Sequence, residues 1–180
     1  MLTYIALLRG INVSGQKLIK MADLKQFLAE LNFENIITYI QSGNIIFKSR
    51  ISDKHKLEKL ISKKINEHYG FEVEVLIKTP NELEYILLNN SFIKQNKDPK
   101  RNYITFLFSK PLNENVEKLS KIDHMPEEYI IDEKNVFFFS PNSYGNAKMN
   151  NNYFEKKLKV FATTRNWQTV NKLFELATIH

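Results

Sequence analysis

The sequence predicts an α+β fold of duplicated ferredoxin-like (βαββαβ) halves with extra helices. Three observations predict it. Residues 1–78 run strand, helix, two strands about a Ser-Gly turn, helix, strand, the split unit of that fold. After a polar, lysine-rich stretch the same order of elements returns over 103–180. The first strand is apolar on both faces, so it is expected to be central and covered on both sides. The expected division is therefore 1–78 for the first half, 79–102 for a helix and linker, and 103–180 for the second half with a C-terminal helix.

Thr3–Arg9 alternates Tyr4, Ala6 and Leu8 with Ile5 and Leu7, a strand with no solvent side. Gly10–Lys20 is a loop. Met21, Leu24, Phe27, Leu28 and Leu31 recur at helical spacing. Ile36–Gln41 and Asn44–Lys48 flank Ser42-Gly43, a tight turn in which Gly43 can take positive φ. Ser52 or Asp53 caps a helix whose inward face is Leu57, Leu60, Ile61 and Ile65, and Gly70 stops it. Phe71–Lys78 closes the first unit. Thr79-Pro80-Asn81-Glu82 is a capping box with proline at the first helical position.

Asn89–Asn102 is polar and contains Pro99, as a linker would. Tyr103–Ser109 then reads as a strand, Asn113–Lys121 as a helix, and Tyr129–Asp132 with Val136–Ser140 as a hairpin. A polar loop, Pro141–Asn152, precedes a helix over Tyr153–Val160. The last helix follows Asn166 with Trp167, Val170, Leu173, Phe174 and Ala177 inward, so Trp167 is expected to be buried.

Composition narrows the function. The 180 residues are 43% hydrophobic and 26% charged, ordinary globular usage. There is no cysteine, which excludes disulfides, thiolate metal sites and thiol nucleophiles. The N-terminus lacks the basic leader and cleavage site of a signal peptide, and no apolar run is long enough for a membrane helix. Cytoplasm is the default expectation. His55, His68, His124 and His180 show no ligand spacing, so no metal site is expected. No carboxylate pair stands out for acid–base work, and no cofactor is expected. The net charge of +6 is spread along the chain with acids interleaved, as on solvated surfaces.

Gly10–Lys17 follows a strand and resembles a phosphate-binding loop. It lacks the Gly-Lys-Ser/Thr core, because Gln16 intervenes and Leu18 stands where a metal-binding hydroxyl is needed. RNA stacking on the sheet is also poorly supplied. The third strand carries one aromatic, Phe47, and the consecutive Phe137, Phe138 and Phe139 alternate faces.

What remains is a set of polar residues at element ends. Only four of the 26 basic residues are arginine: Arg9, Arg50, Arg101 and Arg165. Arginine is favoured where a planar fork is needed. Arg9 ends the first strand and Asn12 lies just beyond it. Ser42 and Asn44 surround the hairpin turn. Thr164, Arg165 and Asn166 are placed at the start of the last helix, where free N–H groups favour an anion. Each also has a structural alternative: Asn166 as a helix cap, Ser42 and Asn44 as turn residues, Arg9 in an internal ion pair.

Four stretches resemble a bacterial family, the domain of unknown function 1697: Tyr4–Val13, Lys20–Leu24, Thr38–Asn44 and Thr163–Val170. They lie in order and span nearly the whole chain. The resemblance implies two ferredoxin-like halves and carries no activity with it. Ser14 stands where the family often has a second glycine. Tyr144–Met149 follows the family's glycine- and serine-containing loop only loosely.

The leading expectation is a pocket between the halves for a small anionic ligand bearing phosphate or carboxylate, held by Arg9, Asn12, Ser42, Asn44, Thr164, Arg165 and Asn166. The alternative is a non-enzymatic module that binds nucleic acid or protein. A third expectation is that these residues are purely structural and lock the two halves together.

Overall fold

The computed structural model describes residues 1–179; His180 lies outside them. The chain divides into two compact units, Met1–Ile86 together with the segment from Lys172, and Leu87–Asn171. Each contains a four-stranded antiparallel sheet.

In the first unit β1 (Leu2–Leu8) leads through a loop to α1 (Met21–Ala29), then to β2 (Glu34–Tyr39) and β3 (Asn44–Ser49). Next come α2 (Lys54–Tyr69), β4 (Val75–Lys78) and α3 (Pro80–Asn89). The strand order is β2-β3-β1-β4. Tyr4, Ala6 and Leu8 of β1 join Ile45, Phe47, Val75 and Ile77 under α1 and α2, with Leu24, Leu28, Leu57 and Ile61 completing that core. Each Leu, Ile, Val or Phe among them contributes roughly 1.5–3 kcal/mol by leaving water. The opposite face is also buried: Ile5, Leu7 and Ile46 are all at most 1% exposed. β1 is therefore central and covered, as its two apolar faces predict.

Local signals decide the helix ends. Asp53 accepts from the His55 and Lys56 N–H groups at the start of α2, and Gly70 ends it in the left-handed region. The Thr79–Glu82 box forms reciprocally. Thr79 N–H donates to the Glu82 carboxylate (2.9 Å) and Glu82 N–H to the Thr79 hydroxyl (3.3 Å).

The second unit repeats the order. A short α4 (Ser91–Lys94) precedes β5 (Asn102–Leu107), α5 (Asn113–Ser120), β6 (Glu128–Asp132), β7 (Asn135–Phe139), α6 (Asn151–Leu158) and β8 (Ala162–Asn166); α7 (Trp167–Ile179) follows, its residues from Lys172 belonging to the first unit. The strand order is β6-β7-β5-β8. Tyr103, Leu107, Val136, Phe138, Phe154, Leu158 and Ala162 form its core. Ile104, Phe106 and Phe137 on the other face are buried too.

Within the stretch read as a linker, Asn90 caps α4 by accepting from Phe92 and Ile93 N–H. Two expectations are corrected. The strand expected over Phe71–Lys78 is formed only from Val75. Thr163, Thr164, Arg165 and Asn166 are not the first turn of the last helix but strand β8, paired along β5 from Leu107↔Ala162 to Tyr103↔Asn166. The β-branched Thr163-Thr164 pair suits a pleated strand better than a helix start.

Candidate functional site

In the first unit the predicted residues gather where β1 meets the β2–β3 turn. The chain leaves β1 at Arg9 and enters a loop with repeated left-handed residues: Gly10, Asn12, Ser14, Gly15 and Lys17 all have positive φ. Ser14 adopts a glycine-like conformation, φ 50°, at the position where the resembled family often has glycine. Asn12 ties the loop together. Its amide donates to the Ile19 carbonyl (3.0 Å) and the Gln41 carbonyl (2.9 Å), and its oxygen accepts from Ile19 N–H (2.9 Å). Asn44 is fully buried and its amide donates to the Tyr39 carbonyl (2.9 Å) and the Ser42 hydroxyl (3.1 Å). Asn12, Ser42 and Asn44 are thus brought together through Gln41.

Gly43 makes the junction possible. Its φ is +80°, and a Cβ there would lie 2.5 Å from Ile11 Cδ1 and 2.8 Å from Leu8 Cβ. Arg9 is half-buried, and its N–H donates to the Glu74 carbonyl (3.0 Å). Lys17, the lysine of the phosphate-loop lookalike, donates to the Glu72 carbonyl (2.6 Å), and α1 begins only at Met21.

In the second unit Thr164, Arg165 and Asn166 lie on β8, an edge strand. Thr164 bonds to the Thr105 hydroxyl (2.8 Å) and donates to Asn151 Oδ1 (2.9 Å). A hydroxyl has one proton, so Thr105 donates in the threonine pair. The Tyr144 hydroxyl accepts from Asn151 N–H (2.9 Å), and its ring lies 4.8 Å from that of Tyr103. Burial raises the Tyr144 pKa, against the pull of Thr164, Asn151 and Arg165.

Arg165 is 5% exposed. Its guanidinium donates to the Thr163 hydroxyl (2.8 Å) and the Thr164 carbonyl (2.9 Å). Burial pulls its pKa down to about 10, with the Tyr144 hydroxyl acting in the other direction, so it stays charged at neutral pH. Asn166 caps α7, accepting from Thr169 N–H (2.7 Å). Trp167 is buried, as expected. Tyr144, Asn151 and Thr105 were missed by sequence reasoning. One signal could have found Thr105: a small hydroxyl residue on the core face of the strand, between Tyr103 and Leu107.

The sheets match in register, and the match extends to the cations. Ile5 pairs with Lys78 on β4, and Ile104 pairs with Arg165 on β8. Both cations are buried, both are followed by a capping residue, Thr79 or Asn166, and both caps open a helix. The first turns differ. Three residues after Thr79 stands Glu82, whose carboxylate lies 3.7 Å from Lys78 Nζ and 3.0 Å from Lys54 Nζ. Three residues after Asn166 stands Thr169, and the first turn of α7 carries no acid.

Three open surface grooves, of about 550, 540 and 360 Å³, are lined by residues outside the predicted set. Among the described residues no cluster of potential metal ligands is found, and no helix is long and apolar enough to cross a membrane. Phe47, Phe137 and Phe138 are buried and offer no platform for stacking bases.

No curated protein matches the chain. Among solved structures, it is similar to the conserved bacterial protein SP0830 from Streptococcus pneumoniae, with a TM-score of 0.73 and 26% identity over 97% of this chain and 98% of that one. Residues 1–137 match the family described as Protein of unknown function (DUF1697), and the chain belongs to that family.

Proposed function

We propose that the chain binds a small anionic ligand, carboxylate- or phosphate-bearing, at the Arg165 end of β8 beside the first turn of α7. The observation that carries this is the place of Arg165: a buried guanidinium at the end of β8, directly before the start of α7. It corresponds in register to Lys78, which has the carboxylate of Glu82 beside it in the first helical turn. A ligand anion at Arg165 would gain from a guanidinium that has lost most of its water and from the helix start. Thr164 and Asn166 orient the guanidinium and the helix start. Arg9, Asn12, Ser42 and Asn44 form the organised junction of the first unit and are candidate ligand residues of that unit taken by itself. We further propose that each half is ferredoxin-like, which the βαββαβ element order and the β2-β3-β1-β4 strand order support. The absence of cysteine fits a cytoplasmic setting.

The test is a thermal-shift screen of phosphate, small carboxylates, phosphorylated metabolites and nucleotides against the wild type, Arg165→Ala and Arg165→Lys. A ligand at 100 times its Kd adds about 2.7 kcal/mol. The expected result is a shift in the wild type that is lost in Arg165→Ala and weakened in Arg165→Lys. Shifts of equal size in all three proteins would refute the site.

A further inference from the structure

α2 and α6 hold the same place in the element order of their units, each directly before the last strand of its sheet. They end on the same bond: Gly70 N–H donates to the Asn66 carbonyl and Lys159 N–H to the Glu155 carbonyl (2.8 Å each). Both terminal residues are left-handed, with φ 76° at Gly70 and φ 55° at Lys159. Glycine is the usual residue there, because a Cβ is strained in that conformation. The backbone at 159 therefore does not ask for lysine; glycine would serve it better, as it does at 70. What Lys159 adds is a cation lining the open groove of about 550 Å³. Lys156 lines it three residues earlier, and Phe161 forms part of its wall with 52% of its surface in water. Both lysines are exposed, and among the described residues neither is in an ion pair. The one carboxylate lining the groove, Glu155, is committed to the backbone, accepting from Ala162 N–H (2.7 Å). Charges around it cancel. Lys110, next to the groove residue Ser109, pairs with Glu133 (2.9 Å). On α5, which packs on α6, Glu114 pairs with Lys118 (4.0 Å). Lys157 lies over the Tyr153 ring.

We propose that this groove binds a nucleotide, free or as one link of a single-stranded nucleic acid, with its base stacked on Phe161 and its phosphate held by Lys156 and Lys159. Two cations without a carboxylate partner call for an anion, and lysine serves phosphate as a point charge. The exposed ring beside them calls for a flat partner, and every base offers one. A groove of this volume lies within the range that encloses a small ligand. Together the ring and the cations match a base joined to a phosphate, which neither a simple anion nor an apolar ligand does. None of Thr164, Arg165 and Asn166 lines the groove, so this site stands apart from the one at the end of β8.

The probes are AMP, titrated into the full chain by calorimetry, and a short fluorescein-labelled single strand of thymidylates, followed by anisotropy at low salt. Controls without the base are ribose 5-phosphate and an abasic strand of the same length. At least one probe should bind, and its base-free control should bind about fivefold or more weakly, because stacking is lost. A strand that binds about tenfold or more tightly than AMP makes nucleic acid the source, with affinity falling steeply as salt rises; otherwise the source is the free nucleotide. Phe161→Ala, a change at an exposed side chain, should weaken binding about fivefold or more. Lys156→Gln and Lys159→Gly should weaken it and flatten its salt dependence. Lys159→Gly should melt no lower than the wild type, since the left-handed strain leaves with the side chain. No binding of either probe at millimolar protein, or equal binding with and without the base, would overturn the proposal. So would a Lys159→Gly variant that melts lower and binds normally, which would assign the lysine to the fold. Binding lost in Arg165→Ala but kept in Lys159→Gly would overturn it too, by placing the ligand at the end of β8.

Discussion

On the core face of the first sheet Ala6 pairs with Ile77; in the second sheet the same register sets Thr105 against Thr164. Hydrocarbon meets hydrocarbon in one unit, and hydroxyl meets hydroxyl in the other. The turns differ in the opposite sense. Leu8 N–H donates to the Gly43 carbonyl (2.9 Å) and Leu107 N–H to the Lys134 carbonyl (2.8 Å), so Gly43 and Lys134 hold corresponding places. Gly43 has Ile11 pressed against it, whereas Lys134 is exposed and carries a long side chain into water. One backbone frame therefore concentrates its tight packing at the strand–loop junction of the first unit. It concentrates its buried polar chemistry at the β5–β8 seam of the second.

The largest expected effect tests the first half of that contrast. Gly43→Ala combines a left-handed φ with a Cβ inside contact distance of Leu8 and Ile11. It should cost about 2–5 kcal/mol, from left-handed strain and overpacking together. Gly10→Ala isolates the strain: φ is +66° but nothing lies within 4 Å of the added Cβ, so about 1–2 kcal/mol is expected. Lys134→Gly should cost about 1 kcal/mol or less. Urea denaturation measures all three. A Gly43→Ala cost no greater than that of Gly10→Ala would remove the packing explanation.

A second pair of changes converts the second sheet toward the first. Thr164→Ile strands the Asn151 oxygen and the Thr105 hydroxyl, and should cost about 1–3 kcal/mol. Adding Thr105→Ala removes one of the stranded groups. The double variant should then lose less than the sum of the singles, with a coupling of about 0.5–3 kcal/mol. Additive losses would mean that the threonines do not act together.

Much of the frame was legible in sequence because its signals are local. The Thr79–Glu82 box, the Asp53 cap, the Gly70 stop and the two-faced apolarity of Thr3–Arg9 each depend on residues within a few positions of one another. What was not legible depends on distant pairing. Thr163–Asn166 reads like a helix entrance because a capping asparagine directly precedes a helix. Its strand character comes from β5, nearly 60 residues away in the chain. The same separation hides the Thr105–Thr164 bond. Asn12 was recognised as special by its place after β1, but its bonds to Ile19 and Gln41 require the folded loop.

The buried cations give a smaller, pH-dependent test. Burial alone would raise the Glu82 carboxyl, but Lys78, the Lys54 hydrogen bond and the Thr79 backbone outweigh it, and its pKa is lowered from 4.5. A lowered carboxylate contributes stability above its unfolded value and loses it as pH falls through the folded one. Wild type should therefore exceed Glu82→Gln at pH 6–7, by no more than about 1 kcal/mol at so exposed a position. The gap should close as pH falls below 4.5. A gap that persists unchanged at pH 3 would show that the carboxylate's charge is not what holds Lys78.

The finest test moves that carboxylate into the other unit. Thr169→Glu places an acid three residues after the Asn166 cap, the spacing Glu82 has after Thr79. Thr169 is 4% exposed, so the larger side chain carries a packing cost of its own. Thr169→Gln carries nearly the same cost without the charge, and the difference between the two variants isolates the electrostatics. An acid in the first helical turn is worth about 0.3–1 kcal/mol, so Thr169→Glu should be the more stable by that amount at neutral pH. It should also abolish the thermal shift produced by any anion that Arg165 binds, since the tethered carboxylate would fill the same place, while Thr169→Gln should keep part of that shift. Equal stability and equal ligand response in the two variants would mean that Arg165 does not correspond to Lys78 in function, only in register.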